Sequence, residues 1–210
     1  MRLQYNRKAA VSALRKSDQK LAQIIDRVGP FQLKTRNLSS PFETLMRSII
    51  GQQLSGKAAA SIYGRVIKLN NDKPPLPRQV LKTDDKAFRG AGMAYAKVNA
   101  IKDLASKTVD GSLPTAAELK RMPDDDVVDC LVAVRGIGPW TVHMLLIFYL
   151  GRPDILPVGD LGVRKGLQVA YGLEELPTPK ELQKIGEKWR PYRSAASWYL
   201  WQAVDLELFQ

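Results

Sequence analysis

Two short stretches contain the residues most capable of chemistry. One is the glycine-rich run VRGIGPWT at positions 134–141, and the other is the run PVGDLGVRKG at positions 157–166. The first predicts a tight turn between two helices, because two glycines permit left-handed backbone angles and Pro139 suits the first turn of a helix. Backbone amides exposed by such a turn favour an anion such as a phosphate group. The second stretch contributes a single carboxylate, Asp160, just before a helical run.

Asp160 has two interpretations that the local sequence fits equally well. An aspartate before a helix is a common N-cap, which accepts hydrogen bonds from the first backbone amides. A single carboxylate close to a turn that favours a phosphate group also suggests chemistry on DNA. The nearby glycine-rich turn favours the catalytic interpretation.

The excess of positive charge indicates which class of binding partner to expect. Lys and Arg outnumber Asp and Glu by 32 to 21, which gives a formal net charge of +11. This excess favours a polyanion, nucleic acid above all, although a merely basic soluble protein would share it. No apolar run is long enough to span a bilayer, and the basic first residues are followed by no apolar signal segment. A membrane partner and a secretion signal are therefore not expected.

The lone cysteine and the lone histidine exclude several kinds of site. Cys130 cannot form an internal disulfide, a thiolate zinc site or a cysteine-ligated iron–sulfur cluster. We expect it to be a small core residue. His143 has no second histidine beside it, so we expect it on a helix surface or in a groove rather than in a metal site.

Helical periodicity extends through most of the chain, and no segment alternates with the period of a strand. Ser40 followed by Pro41 and Glu43 is a capping box, which predicts a helix start. The sequence therefore predicts an all-α fold of about ten helices. The predicted helices include residues 7–28, 78–90, 94–107, 139–150, 179–189 and 191–207.

The segment GQQLSGKA at positions 51–58 nearly spells a phosphate-binding P-loop. We reject that interpretation, because the segment follows a predicted helix rather than a strand. In addition, Ala58 stands where a P-loop needs a hydroxyl group for magnesium.

Taken together, positions 134–141 and 157–166 resemble the hairpin and the catalytic-aspartate loop of the helix-hairpin-helix–GPD DNA glycosylases. The pattern is most similar to the DNA-3-methyladenine glycosylase II type, and the resemblance covers roughly residues 38 to 205. It implies a single glycosylase domain over residues 1–210, made of two helical lobes with a base-binding cleft between them and no β domain. One lobe would be residues 38–133, and the other would combine 1–37 with 134–210, including a hairpin at about 134–141.

The resemblance also implies the site residues. Asp160 would be the catalytic carboxylate, and Trp140 and Trp201 would contact the flipped base. Gln53 falls at the position of a wedge side chain that fills the space left by that base, where some relatives have leucine. The alternative is that Gln52 and Gln53 are solvated residues at a helix end. The remaining residues implied to contact DNA are Ser55, Arg135, Gly136, Gly138, Arg164 and Lys165.

The implied activity is hydrolytic removal of alkylated purines, such as 3-methyladenine and 7-methylguanine, from duplex DNA. Relatives that also cleave the strand use a lysine at the position of Trp140, so we expect a monofunctional enzyme that leaves an abasic site. No cofactor is expected beyond a monovalent cation that hairpin carbonyls often hold in this family. A monomer is expected, in the cytoplasm or nucleoid of a bacterium or archaeon or in a eukaryotic nucleus.

Two alternatives remain open at this point. Because specificity lies in the walls of the pocket, the same scaffold could act on other bases, such as oxidised or mismatched ones. The chain could also be a helix-hairpin-helix module that binds the DNA backbone without catalysis.

Overall fold

The computed structural model describes residues 3–37 and 40–206. None of these residues lies in a β-strand, and the predicted all-α fold is confirmed. No helix within this part of the chain is both long and apolar enough to cross a membrane. The helices are α1 (Arg7–Ser17), α2 (Gln19–Val28), α3 (Pro41–Gly51), α4 (Gly56–Lys68), α5 (Pro77–Lys82), α6 (Asp85–Gly90), α7 (Tyr95–Val109), α8 (Ala116–Arg121), α9 (Asp124–Val132), α10 (Pro139–Leu145), α11 (Leu161–Tyr171), α12 (Pro179–Gly186) and α13 (Arg193–Asp205).

The chain divides into two compact units. The central unit is Leu38–Val142, and the terminal unit combines Met1–Asn37 with His143–Gln210. The division falls within α10, whereas the sequence placed it before the hairpin at residue 134. The hairpin belongs to the central unit because its backbone is bonded there: the Arg135 amide donates to Asp103, and Gln52 donates to the Gly136 carbonyl.

Helix α7 organises the central unit. Its apolar side chains Val98, Ile101 and Leu104 are fully buried, and α3, α5 and α6 pack against it. Helix α3 in turn packs against α4. The α3–α4 connection and the hairpin therefore both start from helices whose positions are fixed by apolar packing.

Helices α11 and α13 form the main contact of the terminal unit, and both also pack against α2. Their backbones approach closely at Gly166, where an added Cβ atom would lie 2.2 Å from the carbonyl oxygen of Leu200. Glycine is therefore required at this position. The close approach brings the middle of α11 beside the middle of α13.

Two predicted helices are interrupted in the structure. The helix predicted over residues 7–28 breaks at Asp18, whose backbone is extended and whose carboxylate accepts hydrogen bonds from the amides of Lys20 and Leu21. The break is a helix N-cap in the middle of a continuous helical pattern. The helix predicted over residues 78–90 is likewise two helices, because the Asp84 side chain caps the start of α6.

The predicted apolar helix over residues 139–150 is confirmed. It begins as α10 and continues as one π-helical stretch, Leu146–Leu150, in which Leu146, Ile147 and Leu150 are buried. It ends at Gly151, which adopts the left-handed conformation that is common for a glycine at the end of a helix. The helix predicted over 191–207 is seen as Arg193–Asp205, and residue 207 lies outside the described residues.

Candidate functional site

Asp160 is the N-cap of α11 and a nearly buried carboxylate, with 9% of its surface exposed. Its Oδ1 atom accepts a hydrogen bond of 2.8 Å from the Val163 amide and one of 2.9 Å from the indole nitrogen of Trp201. Both interpretations of the sequence are therefore compatible with the structure. The carboxylate caps the helix, and the same contacts fix its orientation.

Trp201 contacts Asp160 through the edge of its indole ring, and the face of the ring packs against another aromatic side chain. Its ring stacks on Phe148, with 5.7 Å between ring centroids and 24° between planes. The approach depends on Gly162, where an added Cβ would lie 2.9 Å from the Trp201 ring and 3.1 Å from Asp160 Oδ1. Sequence reasoning proposed Trp201 as a base contact and missed its hydrogen bond to the carboxylate. That Trp201 also contacts a base stays a prediction.

The connection between α3 and α4 is a tight turn in the central unit. The Leu54 amide donates to the Gly51 carbonyl, and Gln53 adopts a positive φ of 57°. The side chain of Gln53 is exposed, while Gln52 donates to the Gly136 carbonyl at 2.7 Å. The two glutamines therefore differ: Gln52 makes an internal bond, and Gln53 faces solvent at the tip of the turn.

The hairpin between α9 and α10 has the predicted form at its first glycine. Gly136 adopts a φ of 77°, and Ile137 between the glycines is buried. The Arg135 amide donates to Asp103 Oδ2 at 2.8 Å. Burial by itself would raise the pKa of Asp103, but hydrogen bonds from Lys107 and from the Arg135 amide lower it. A carboxylate on α7 thus anchors the hairpin.

The expectation for the second glycine was wrong. Gly138 does not adopt a positive φ, because it precedes Pro139 and the proline ring favours extended backbone in the residue before it. Its carbonyl accepts from the amides of Thr141 and Val142 at the start of α10. The amides of Gly136 and Gly138 donate to no acceptor within the described part of the chain. They can therefore serve an external anion.

The other predicted site residues occupy different environments. Trp140 is 50% exposed, and Arg135 and Lys165 are also exposed. Arg164 is partly buried, and its Nε atom donates to the Pro177 carbonyl at 2.7 Å. The Ser55 hydroxyl accepts from the Ala58 amide and caps α4. Arg164 and Ser55 therefore have structural roles that the sequence did not indicate, and their contacts with DNA stay predictions.

The lone histidine and the lone cysteine are both partly buried. His143 is half-buried, and burial together with the charge of Arg193 lowers its pKa. Cys130 is half-buried rather than a core residue, and its thiol lies 3.8 Å from the Ser112 carbonyl. In the ranges 3–37 and 40–206, no group of histidine, cysteine, aspartate and glutamate could hold a metal ion.

Comparisons with known proteins agree with this geometry. The model of the HhH-GPD superfamily of base excision DNA repair proteins matches residues 46–191. DNA-3-methyladenine glycosylase 1 of Schizosaccharomyces pombe is 34% identical over 191 residues, which cover 90% of this chain and 84% of the relative.

Solved structures agree as well. The S. pombe 3-methyladenine DNA glycosylase Mag1 in complex with abasic DNA is similar with a TM-score of 0.86 and 33% identity, over 96% of this chain and 99% of that one. A DNA-3-methyladenine glycosidase from Bacillus halodurans has a TM-score of 0.86 and 37% identity, over 95% of this chain and 90% of that one. The predicted membership is thus confirmed, and the chain belongs to the HhH-GPD superfamily of base excision DNA repair proteins.

Proposed function

We propose that this protein is a monofunctional DNA-3-methyladenine glycosylase. It excises 3-methyladenine and 7-methylguanine from duplex DNA and leaves an abasic site. The family and the names of the relatives support the glycosylase class. The observation that carries the mechanism is the nearly buried Asp160 carboxylate, whose Oδ1 atom is held by the Val163 amide and the Trp201 indole.

The chemistry follows from the charge of the lesion. A base inside the duplex is out of reach, so the enzyme must first flip it out of the stack. Alkylation at N3 or N7 gives the purine a positive charge. The glycosidic bond then breaks with its electron pair passing to the base, which leaves as a neutral molecule. Asp160 stabilises the positive charge that develops on the sugar and orients the attacking water. The water oxygen bonds to the sugar carbon, and the proton that the water then loses passes to solvent.

The absence of a strand-cleavage step rests on Trp140. A lysine at this position would supply the amine that forms a Schiff base with the opened sugar. An indole cannot do so. We therefore expect the product to be an intact abasic strand, and borohydride should trap no covalent enzyme–DNA adduct.

The binding of DNA is assigned to two turns of the central unit and to basic residues of both units. Gln53 would fill the space left by the flipped base, and Arg135, Gly136 and Gly138 of the hairpin would bind backbone phosphates through side chain and amides. The exposed Lys165 would add a further phosphate contact, and Arg164 and Ser55 are secondary candidates. The net charge of +11 suits this partner.

The base itself would be held by aromatic faces. A cationic purine is attracted to the face of an aromatic ring. The candidates are the half-exposed Trp140 and the stacked pair of Trp201 and Phe148. Of the two tryptophans, Trp201 has its indole N–H engaged by Asp160, so its contribution to base binding would come from the ring.

A monovalent cation at the hairpin is also proposed. The carbonyls of Val134 and Gly136 accept hydrogen bonds from the Ile137 amide and the Gln52 side chain. A carbonyl oxygen has two lone pairs, so these bonds leave room for a cation. Affinity for DNA should then differ between potassium and a large organic cation at equal ionic strength.

The proposal also covers the oligomeric state of the protein and its location in the cell. We expect a monomer, which light scattering would establish. As a repair enzyme it would be found with the chromosome, in a nucleoid or a nucleus.

The test is release of free bases from methylated duplex DNA, resolved by chromatography, with Asp160→Asn and a matched surface variant, Asp26→Asn. The wild type and Asp26→Asn should release 3-methyladenine and 7-methylguanine, and Asp160→Asn should release neither while it still binds DNA. Release by Asp160→Asn would contradict the catalytic role of this carboxylate. If even the wild type releases nothing, oxidised and mismatched bases should be assayed next. Salt-sensitive binding without release of any base would indicate a binding module.

A further inference from the structure

The turn at Gln53 holds a non-glycine residue in a strained conformation. Gln52 has φ −53° and ψ 132°, Gln53 has φ 57°, and the Leu54 amide donates to the Gly51 carbonyl at 3.2 Å. These values describe a type II turn, whose third residue is normally glycine or asparagine. A glutamine there persists only if the surroundings hold the backbone in place.

Lys97, in the first turn of α7, provides such a restraint. Its ammonium group donates to the Ile50 carbonyl at 2.8 Å and to the Gln52 carbonyl at 2.7 Å. These carbonyls lie at the C-terminal end of α3, where the helix leaves them without intrahelical partners and where a cation is favoured. The ammonium therefore closes the end of α3 and holds the peptide group that precedes Gln53.

The Gln52 side chain gives the turn a second attachment. It donates to the Gly136 carbonyl of the hairpin at 2.7 Å. Because the hairpin amide of Arg135 is bound to Asp103 on α7, the turn and the hairpin are both attached to the same helix. The central unit thus carries the two turns as one connected element.

We propose that Lys97 is a positioning residue that holds the Gln53 turn in its strained form, so that the Gln53 side chain is presented to DNA without a prior rearrangement. The inference rests on the proposed role of Gln53 as the group that fills the space of the flipped base. Lys97 acts through the turn and not through a phosphate. Two of its three N–H donors are directed at carbonyls of its own chain.

The test compares affinity for a duplex with a stable abasic-site analogue and for the matched undamaged duplex. The ratio of the two dissociation constants measures how well the enzyme stabilises the gapped duplex. Both Lys97→Met and Gln53→Ala should reduce this ratio by about 5- to 20-fold, the size expected when a group that supports an extrahelical nucleotide is lost. The double variant should be no worse than Gln53→Ala, because the two substitutions remove the same contribution. Lys97→Arg, which keeps a cation and several donors, should retain most of the discrimination.

The salt dependence separates positioning from phosphate binding. The control is Lys102→Met, which removes the same charge from the same helix but leaves the turn intact, since Lys102 pairs with Asp85. Both lysine variants should have the same dependence of affinity on salt. If only Lys97→Met lowers the slope, by about one counterion, then Lys97 binds a phosphate and the inference is overturned.

The remaining outcomes separate this inference from the proposed function. If Gln53→Ala reduces discrimination and Lys97→Met does not, the turn holds its form without Lys97 and the inference fails alone. If the two effects add in the double variant, Lys97 acts elsewhere and the inference also fails. If Gln53→Ala has no effect, the role of Gln53 fails and the inference falls with it.

Discussion

Two buried aspartates of the terminal unit show how one local motif serves two purposes. Asp18 and Asp160 are each the N-cap of a helix, and each accepts a hydrogen bond from the indole nitrogen of a tryptophan. They are 4% and 9% exposed. By capping and burial alone they would be judged equivalent.

The donors distinguish them. Asp18 accepts from the Lys20 and Leu21 amides on Oδ1 and from Trp189, Lys188 and the Tyr171 hydroxyl on Oδ2. These donors come from α2, from α11 and from the turn after α12, so the carboxylate joins three segments of the unit.

At Asp160 the Val163 amide and the Trp201 indole nitrogen both donate to Oδ1. A carboxylate whose two oxygens are taken by internal donors, one of them a lysine, stabilises the fold. A carboxylate held in a fixed orientation can stabilise positive charge that develops on a bound substrate. The contacts of Asp18 therefore indicate a role in stability, whereas catalysis by Asp160 stays a proposal.

Exchanging each aspartate for asparagine is the strongest way to break this comparison. Asp160→Asn should lower the single-turnover rate of base release by about 10²- to 10³-fold, while its free energy of unfolding changes little because asparagine is also a good N-cap. Asp18→Asn should do the reverse and lower the free energy of unfolding by about 2–4 kcal/mol, because its donors would face an amide. Single-turnover kinetics measure the rate of base release by both variants, and urea unfolding measures their free energies of unfolding. A loss of activity in folded Asp18→Asn would contradict the assignment.

The two tryptophans provide the next comparison. Trp201→Phe removes the donor to Asp160 but keeps a ring, and it should slow base release by about tenfold through a less fixed carboxylate. Trp189→Phe removes the equivalent donor to Asp18, and it should lower the free energy of unfolding by about 1–3 kcal/mol without slowing release. Single-turnover assays and unfolding curves separate the outcomes. Equal rates for Trp201→Phe and the wild type would show that the indole N–H does not position the carboxylate.

A substitution at Gly162 should have a smaller effect on base release, because it only disturbs the contact between Trp201 and Asp160. In Gly162→Ala the new methyl group would crowd the Trp201 ring and Asp160 Oδ1. Release should slow by about three- to tenfold, because a small displacement of a catalytic group is costly. The matched variant is Gly64→Ala on α4, where an added Cβ has no neighbour within 4 Å and release should be unchanged. An unaffected rate in Gly162→Ala would indicate that the Trp201 approach is not needed.

The smallest expected effect concerns the pH dependence of the free energy of unfolding. Burial alone would raise the pKa of Asp18, but hydrogen bonds from Tyr171, Trp189, the Leu21 amide and Lys188 hold it below the ordinary value. A carboxyl whose pKa is lower in the folded state contributes stability above its unfolded pKa of about 3.9. That contribution is lost as the pH falls through the folded pKa. The free energy of unfolding should therefore drop more between pH 5 and pH 3 in the wild type than in Asp18→Asn. Parallel curves would contradict a lowered pKa.

Local sequence patterns were sufficient to predict the helical fold, the hairpin and the candidate carboxylate. These features depend on short-range interactions: the period of apolar side chains, the capping of Ser40 and Asp160, and the conformational freedom of Gly136. Trp140 stands where strand-cleaving relatives have a lysine, and this difference is also visible from the residue type alone. Such features can be predicted because their physical causes lie within a few residues of one another.

The groups that surround each carboxylate could not be predicted, because they come together through long-range packing. Asp160 and Trp201 are 41 residues apart in the chain, and Asp18 and Trp189 are 171 apart. The apolar period continues through Asp18 as if the helix were unbroken. The amides of Lys20 and Leu21 that cap the break are local, but Trp189, Lys188 and Tyr171, which bind the other carboxylate oxygen, are distant in the chain. The strained backbone at Gln53 and its restraint by Lys97 could not be predicted either, because the contacting residues are far apart in the chain. Local propensity opposes a glutamine in that conformation, and the packing of α7 against α3 overrides it.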